Sequence, residues 1–213
     1  MQHATFSNER AVLGQWAGVL SVIAVLALAV NIGVYRHVQE LKANSPWTYV
    51  KQGMERMRAN DFDAALGCFR QAASVDPTAP LPHEHMGRLH YERQEFAKSA
   101  EAFEQAVKLG STDADARGKL LWAYIHTNKF AEAVALGERS LKEGTATPQF
   151  PRWIAEAYYR GGKVEDSIRY FELALEQQED LYVMSKLLSA YEKTGRIRQA
   201  ETLRQRIEVL EAS

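Results

Sequence analysis

Cysteine is almost absent. Cys68 stands alone among 213 residues, so no disulfide can close within the chain and no Cys-x-x-Cys-His haem attachment is possible. Its place in an apolar helical stretch reads as a small core filler. A surplus of either charge is missing too: 26 Lys and Arg face 27 Asp and Glu, which excludes the basic excess that a nucleic-acid binder uses. No glycine-rich phosphate loop, nucleophile elbow or metalloprotease pair is present. Histidines are few, and although His83, Glu84, His85 and His90 lie close together, none of the histidines forms the i, i+4 pair that places two imidazoles on one ion. Glu179 and Asp180 read as part of a solvated loop between elements. These absences argue against an enzyme, a metal site or a cofactor. One last absence is local: from Ala11 to Tyr35 no side chain carries a charge.

That uncharged run is long enough to cross a bilayer. Trp16 and Tyr35 stand 19 residues apart, about 28 Å along a helix and close to the hydrocarbon thickness, and aromatic residues favour the two interfaces. Arg36, His37 and Lys42 return the chain to water. The sequence therefore predicts a polar tail over 1–10, a transmembrane helix over 11–35 and a linker over 36–45. A rival reading is a secretory signal cleaved after Ala27-Leu28-Ala29, but the apolar run continues past that point. Gly14, Ala17, Ser21 and Ala24 lie on one stripe of the helix, with Leu28 and Asn31 further along it. Gly14 and Gly18 add a G-x-x-x-G. Small residues on one stripe allow close packing against another transmembrane helix, and Asn31 can hydrogen-bond across such a contact. The expected contacts of this segment are membrane lipid and the transmembrane helix of another subunit. Arg10 on one side nearly balances Arg36 and Lys42 on the other. The short tail tips the expectation towards a bacterial inner membrane with the rest of the chain in the periplasm.

Beyond the linker a three-residue motif returns five times: Asn60-Asp61-Phe62, Gln94-Glu95-Phe96, Asn128-Lys129-Phe130, Gly162-Lys163-Val164 and Gly195-Arg196-Ile197. The spacings are 34, 34, 34 and 33 residues, and a fixed period of this size marks stacked helical repeats. Each motif is followed three residues later by a small side chain (Ala65, Ser99, Ala133, Ser167, Ala200) and seven further on by another (Ala72, Ala106, Ser140, Ala174, then Ile207). A bulky slot lies between them at Phe69, Phe103 and Phe171, with Gly137 and Arg204 as exceptions. Steps of three, four and seven define one helix face. A helix before each motif carries Gly53, Gly87, Leu121, Ala155 and Leu188 at one crossing point.

This pattern resembles the tetratricopeptide repeat (TPR). Residues 46–79 show it best, through Gly53, Phe62, Ala65, Phe69, Ala72 and Pro77, and the resemblance covers residues 46–213. It implies an all-α fold: a TPR-type α-solenoid of five helix–turn–helix repeats (46–79, 80–113, 114–147, 148–180 and 181–213) following one N-terminal transmembrane helix. The departures carry their own expectations. The closing Pro occurs only at Pro77, Gly137 leaves a hole where an aromatic belongs, and the polar side chains of 198–211 make the last repeat a cap.

If the repeats stack in this phase, the first helix of each lines a concave groove. The expected groove residues are Trp47, Val50, Met54 and Met57, then Glu84, Arg88 and Tyr91, then Trp122, Ile125 and His126, then Arg152, Glu156 and Tyr159, and finally Tyr182, Ser189 and Glu192. Aromatic and arginine side chains on such a wall suit a peptide or protein surface. The Lys, Asn and Arg cluster with which the chaperone-binding branch of the family clamps a terminal carboxylate is missing. The sequence thus predicts a membrane-anchored interaction scaffold, an accessory subunit of a larger membrane complex. The alternative is a transient assembly or chaperone-like factor for membrane or exported proteins.

Overall fold

The computed structural model describes residues 28, 30–40 and 44–212. Most of the apolar run, with Gly14, Ala17, Gly18, Ser21 and Ala24, lies outside the described residues. Its far end lies within them: residues 30–40 are helical and exposed, Asn31 included. Among the described residues no helix is long and apolar enough to cross a membrane.

From Pro46 onward the chain is a succession of helices: α1 (Pro46–Arg58), α2 (Phe62–Val75), α3 (Leu81–Glu92), α4 (Phe96–Lys108), α5 (Ala114–His126), α6 (Phe130–Glu143), α7 (Phe150–Arg160), α8 (Val164–Gln177), α9 (Leu181–Lys193) and α10 (Ile197–Glu211). They pair as hairpins, and each hairpin packs on the next in chain order. The recurring motif explains the hairpins. Its first residue takes the left-handed region, at φ 57° for Asn60, 58° for Gln94, 59° for Asn128, 81° for Gly162 and 72° for Gly195. The next residue then turns its N–H back onto the preceding helix. Asp61 donates to the carbonyl of Arg56, Glu95 to His90, Lys129 to Tyr124, Lys163 to Tyr158 and Arg196 to Tyr191, each at 2.9 Å. This is the six-to-one closure that satisfies a helix end while reversing the chain.

Starts are fixed by other means. Ser45 caps α1, accepting from the Thr48 N–H at 3.2 Å, with Pro46 in the first turn, where its missing N–H costs nothing. Asp61, Asp113 and Asp180 cap α2, α5 and α9 with their carboxylates. Pro151 sits in the first turn of α7.

The core runs as a row between the two helix layers. Phe69, Phe103 and Phe171 are fully buried, as are Ala65, Ser99, Ala133 and Ser167; burying one such Phe is worth about 3 kcal/mol. The small residues let the helices close on those rings: a Cβ on Gly53 would lie 2.5 Å from Phe69, and one on Gly87 2.7 Å from Phe103. The third repeat corrects the expectation of a hole. A Cβ on Gly137 would lie 2.4 Å from Ile154 and 2.9 Å from Leu121, so two aliphatic side chains occupy the aromatic's place. In the last repeat Arg204 is exposed and pairs with Glu192 at 2.6 Å. The neighbouring polar residues of α10 are exposed as well, giving the stack a solvated end.

Tyrosines tie successive helices together. Tyr158 donates to Glu138 at 2.8 Å, and Tyr191 to Glu172 at 2.6 Å. Tyr124 sits likewise against Glu104. Burial, with the bonded carboxylate adding to it, raises all three phenols above their ordinary range.

Candidate partner-binding groove

The first helices of neighbouring repeats touch directly, α3 with α5 and α5 with α7. Helices that approach most closely lie on the inner side of a curved stack, so their outward faces form its inner wall. The expected groove residues divide along this wall into three groups.

At the N-terminal end Trp47 is 63% exposed. Met54 and Met57 instead pack half-buried on the core of the first repeat, beside the fully buried Val50. This end offers one free aromatic.

In the middle the polar groups satisfy one another. Arg88 pairs with Asp113, and its Nε lies 3.2 Å from Asp115. Lys119 also pairs with Asp115, and lies 5.8 Å above the Tyr91 ring. Tyr91 meets Phe96 edge-on at 5.8 Å, and His126 stacks on Phe96 at 4.2 Å. Trp122 lies 4.9 Å from His126 and 6.1 Å from Trp153. Burial, aided by the Arg160 guanidinium, pushes the His126 pKa down, which favours a neutral, stacking imidazole. Gly118 is required here, because a Cβ would lie 2.8 Å from Trp153. Ile125 corrects the expected groove: it is fully buried. Tyr91 and Tyr159, in the same slot, extend far enough to reach the surface, whereas a short aliphatic stays in the core.

At the C-terminal end the cations and phenols interlock. Arg152 pairs with Asp180 at 2.8 Å and lies 4.8 Å above Tyr182. The Tyr182 hydroxyl donates to Glu156 at 3.4 Å. Glu156 is itself buried, so it is a support for the wall and not a free acid on it. Tyr159 and Ser189 share a hydrogen bond at 2.9 Å, and Lys193 donates to the Tyr159 hydroxyl at 2.6 Å. Lys186 stands 5.4 Å above the rings of both Tyr159 and Tyr182. Burial alone would raise the Tyr159 phenol, but the hydrogen bonds from Lys193 and Ser189 and the charge of both lysines outweigh it and hold the group below its usual value.

Four contributors escaped the sequence reading: Lys119, Trp153, Lys186 and Lys193. The repeat did contain the signal. His85, Lys119, Trp153 and Lys186 recur at 34, 34 and 33 residues, one place after the slot that holds Arg152. His126, Arg160 and Lys193 recur in the same way.

The histidines of the second repeat go separate ways. His85 stacks on Phe69 at 5.0 Å, and His90 Nδ1 lies 2.8 Å from Glu95. Among the described residues no group of three or more His, Cys, Asp or Glu gathers to hold a metal ion. The wall is built from rings, hydroxyls and fixed charges, which recognise surfaces.

Residues 84–150 match the family model of the tetratricopeptide repeat. Anaphase-promoting complex subunit 6 of Arabidopsis thaliana is 28% identical over 122 residues, 55% of this chain and 22% of that protein. The chain thus spans about a fifth of that relative's length. Among solved structures, MamA of Desulfovibrio magneticus from residue 41 to its end superposes with a TM-score of 0.68 at 15% identity, over 78% of this chain and 95% of that one. YrrB, described as a TPR protein with an unusual peptide-binding site, gives 0.71 at 14% identity, over 81% and 89%. Another MamA structure gives 0.71 at 17%, over 78% and 91%. With the repeat geometry above, the fold is an all-α TPR solenoid, an architecture that generally mediates protein–protein interaction.

Proposed function

We propose that this chain is a membrane-anchored scaffold, an accessory subunit that holds a protein partner along the inner wall of its repeats. The observation that carries the reading is the wall itself. From Tyr91 to Lys193 it presents aromatic rings and cations fixed by ring and hydrogen-bond contacts, so little freedom remains to be lost on binding. YrrB's peptide-binding site lends support by analogy of fold.

The uncharged run 11–35 supplies the anchor in this reading, seated in a bacterial inner membrane with the repeats on the periplasmic side. Its stripe from Gly14 to Asn31 meets a transmembrane helix of the complex. The anchor confines the groove to the bilayer surface and raises the effective concentration of a membrane-bound partner. Purification of the full chain from membranes in mild detergent tests this. A resident subunit brings its partner down in fixed stoichiometry, and a Trp122→Ala/Tyr159→Ala variant recovers less of it at unchanged helicity. Substoichiometric recovery supports a transient assembly factor instead, and recovery indifferent to both substitutions removes the groove from the mechanism.

A further inference from the structure

The middle and the C-terminal end of the wall differ in how their cations are used. In the middle, Arg88 and Lys119 are both matched by Asp113 and Asp115. At the C-terminal end the local acids are already taken: Asp180 by Arg152, Glu192 by Arg204, and Glu156 by the Tyr182 hydroxyl. Among the described residues, no carboxylate lies within 4.0 Å of the Lys186 or Lys193 ammonium. Both ammoniums converge on the Tyr159 ring, Lys193 at 4.4 Å and Lys186 at 5.4 Å, because residues seven apart share a helix face. The hydroxyls of Tyr159 and Ser189 are bonded to each other, and Lys193 donates to that of Tyr159.

We infer that this corner is a carboxylate-binding subsite and that the protein segment held in the groove is acidic, with Asp or Glu side chains reaching Lys186, Lys193 and the one hydroxyl of the Tyr159–Ser189 pair that does not donate to the other. The inference rests on the groove reading above and adds to it the chemistry of the occupant. Charge complementarity is the reason: two ammoniums without an acid partner, beside one free hydroxyl donor, lack only an acceptor that carries negative charge. The depressed Tyr159 phenol reports the same local positive potential. Arg152 and Tyr182, stacked alongside, supply a flat surface for the carbon stems of the segment.

The test uses the full chain in neutral detergent and a fluorescein-labelled decapeptide of alternating Glu and Ala with both ends blocked, followed by anisotropy. The peptide should bind, and added salt should weaken it. Lys186→Gln/Lys193→Gln should cut affinity about tenfold, Lys186→Arg/Lys193→Arg should retain it, and Lys142→Gln should change it by less than about twofold, because that lysine lies on a second helix, off the wall. Circular dichroism should be unchanged throughout. No binding by the unsubstituted chain overturns the inference, as does equal binding by the Gln variant or equal binding of a Gln-Ala peptide. A lysine-dependent interaction with phosphatidylglycerol vesicles that the peptide does not displace also overturns it, in favour of a lipid surface. Recovery of a membrane partner that needs Trp122 and Tyr159 but not the two lysines would keep the groove and remove only its acidic occupant.

Discussion

The second and third repeats make the same helix crossing with the sizes exchanged. In the second, Gly87 on α3 faces Phe103 on α4; in the third, Leu121 on α5 faces Gly137 on α6, and Ile154 of the next repeat leans into the remaining space. Both arrangements are tightly closed. The summed volume at the crossing is what the fold holds constant, not the residue in either slot, as close packing of protein interiors requires.

Disturbing that volume should have the largest effect on stability. Phe103→Ala should cost about 4 kcal/mol and Leu121→Ala about 3 kcal/mol, read from denaturant midpoints. Gly137→Phe should cost at least ~2 kcal/mol by overpacking against Ile154 and Leu121. In a double-mutant cycle, Leu121→Gly with Gly137→Phe should recover ~1 kcal/mol or more of the summed losses. Strict additivity would mean that the two residues do not share the space.

The tyrosine ties give a smaller difference between repeats. Tyr191→Phe leaves the Glu172 carboxylate without its 2.6 Å donor and should cost about 1.5 kcal/mol. Tyr158→Phe should cost less, since Glu138 still accepts from Tyr170 at 2.9 Å. Raised phenol values mean that folding favours the neutral donor. Their contribution is complete below the unfolded phenol pKa of about 10 and is lost as pH rises towards the higher folded value. Alkaline melts should therefore fall more steeply for the wild type than for Tyr191→Phe, and parallel curves would contradict the assignment.

The smallest predicted effects lie in the turns. Gln94 takes the left-handed conformation that glycine takes at Gly162 and Gly195. Gln94→Gly should stabilise by about 0.5 kcal/mol and Gly162→Ala should destabilise by ~1 kcal/mol, both measurable as shifts in melting temperature.

The hairpins were legible in the sequence because their turns are local. The left-handed residue and the six-to-one closure depend on neighbours in the chain, so Asn60, Gln94 and Asn128 announce themselves at a fixed period. The filled site at Gly137 was not legible, because Ile154, which fills it, belongs to another slot of another repeat and only stacking brings the two together. The surface of the first helices was legible in part. Arg88, Tyr91 and Trp122 are drawn into one set of contacts and Arg152, Tyr159 and Tyr182 into another, but whether Ile125 faced the surface or the core depended on its reach. That Lys186 and Lys193 meet rings and a hydroxyl instead of an acid among the described residues depended on which acids their neighbours had already taken, and no periodicity records that.

Cross-linking of intact membranes with an amine-reactive reagent, followed by mass spectrometry, tests the inner wall most directly as the binding face. Links from Lys119, Lys186 and Lys193 to one shared partner are the predicted result. Links confined to Lys108, Lys142 and Lys163, which lie on or beside the second helices, would contradict it.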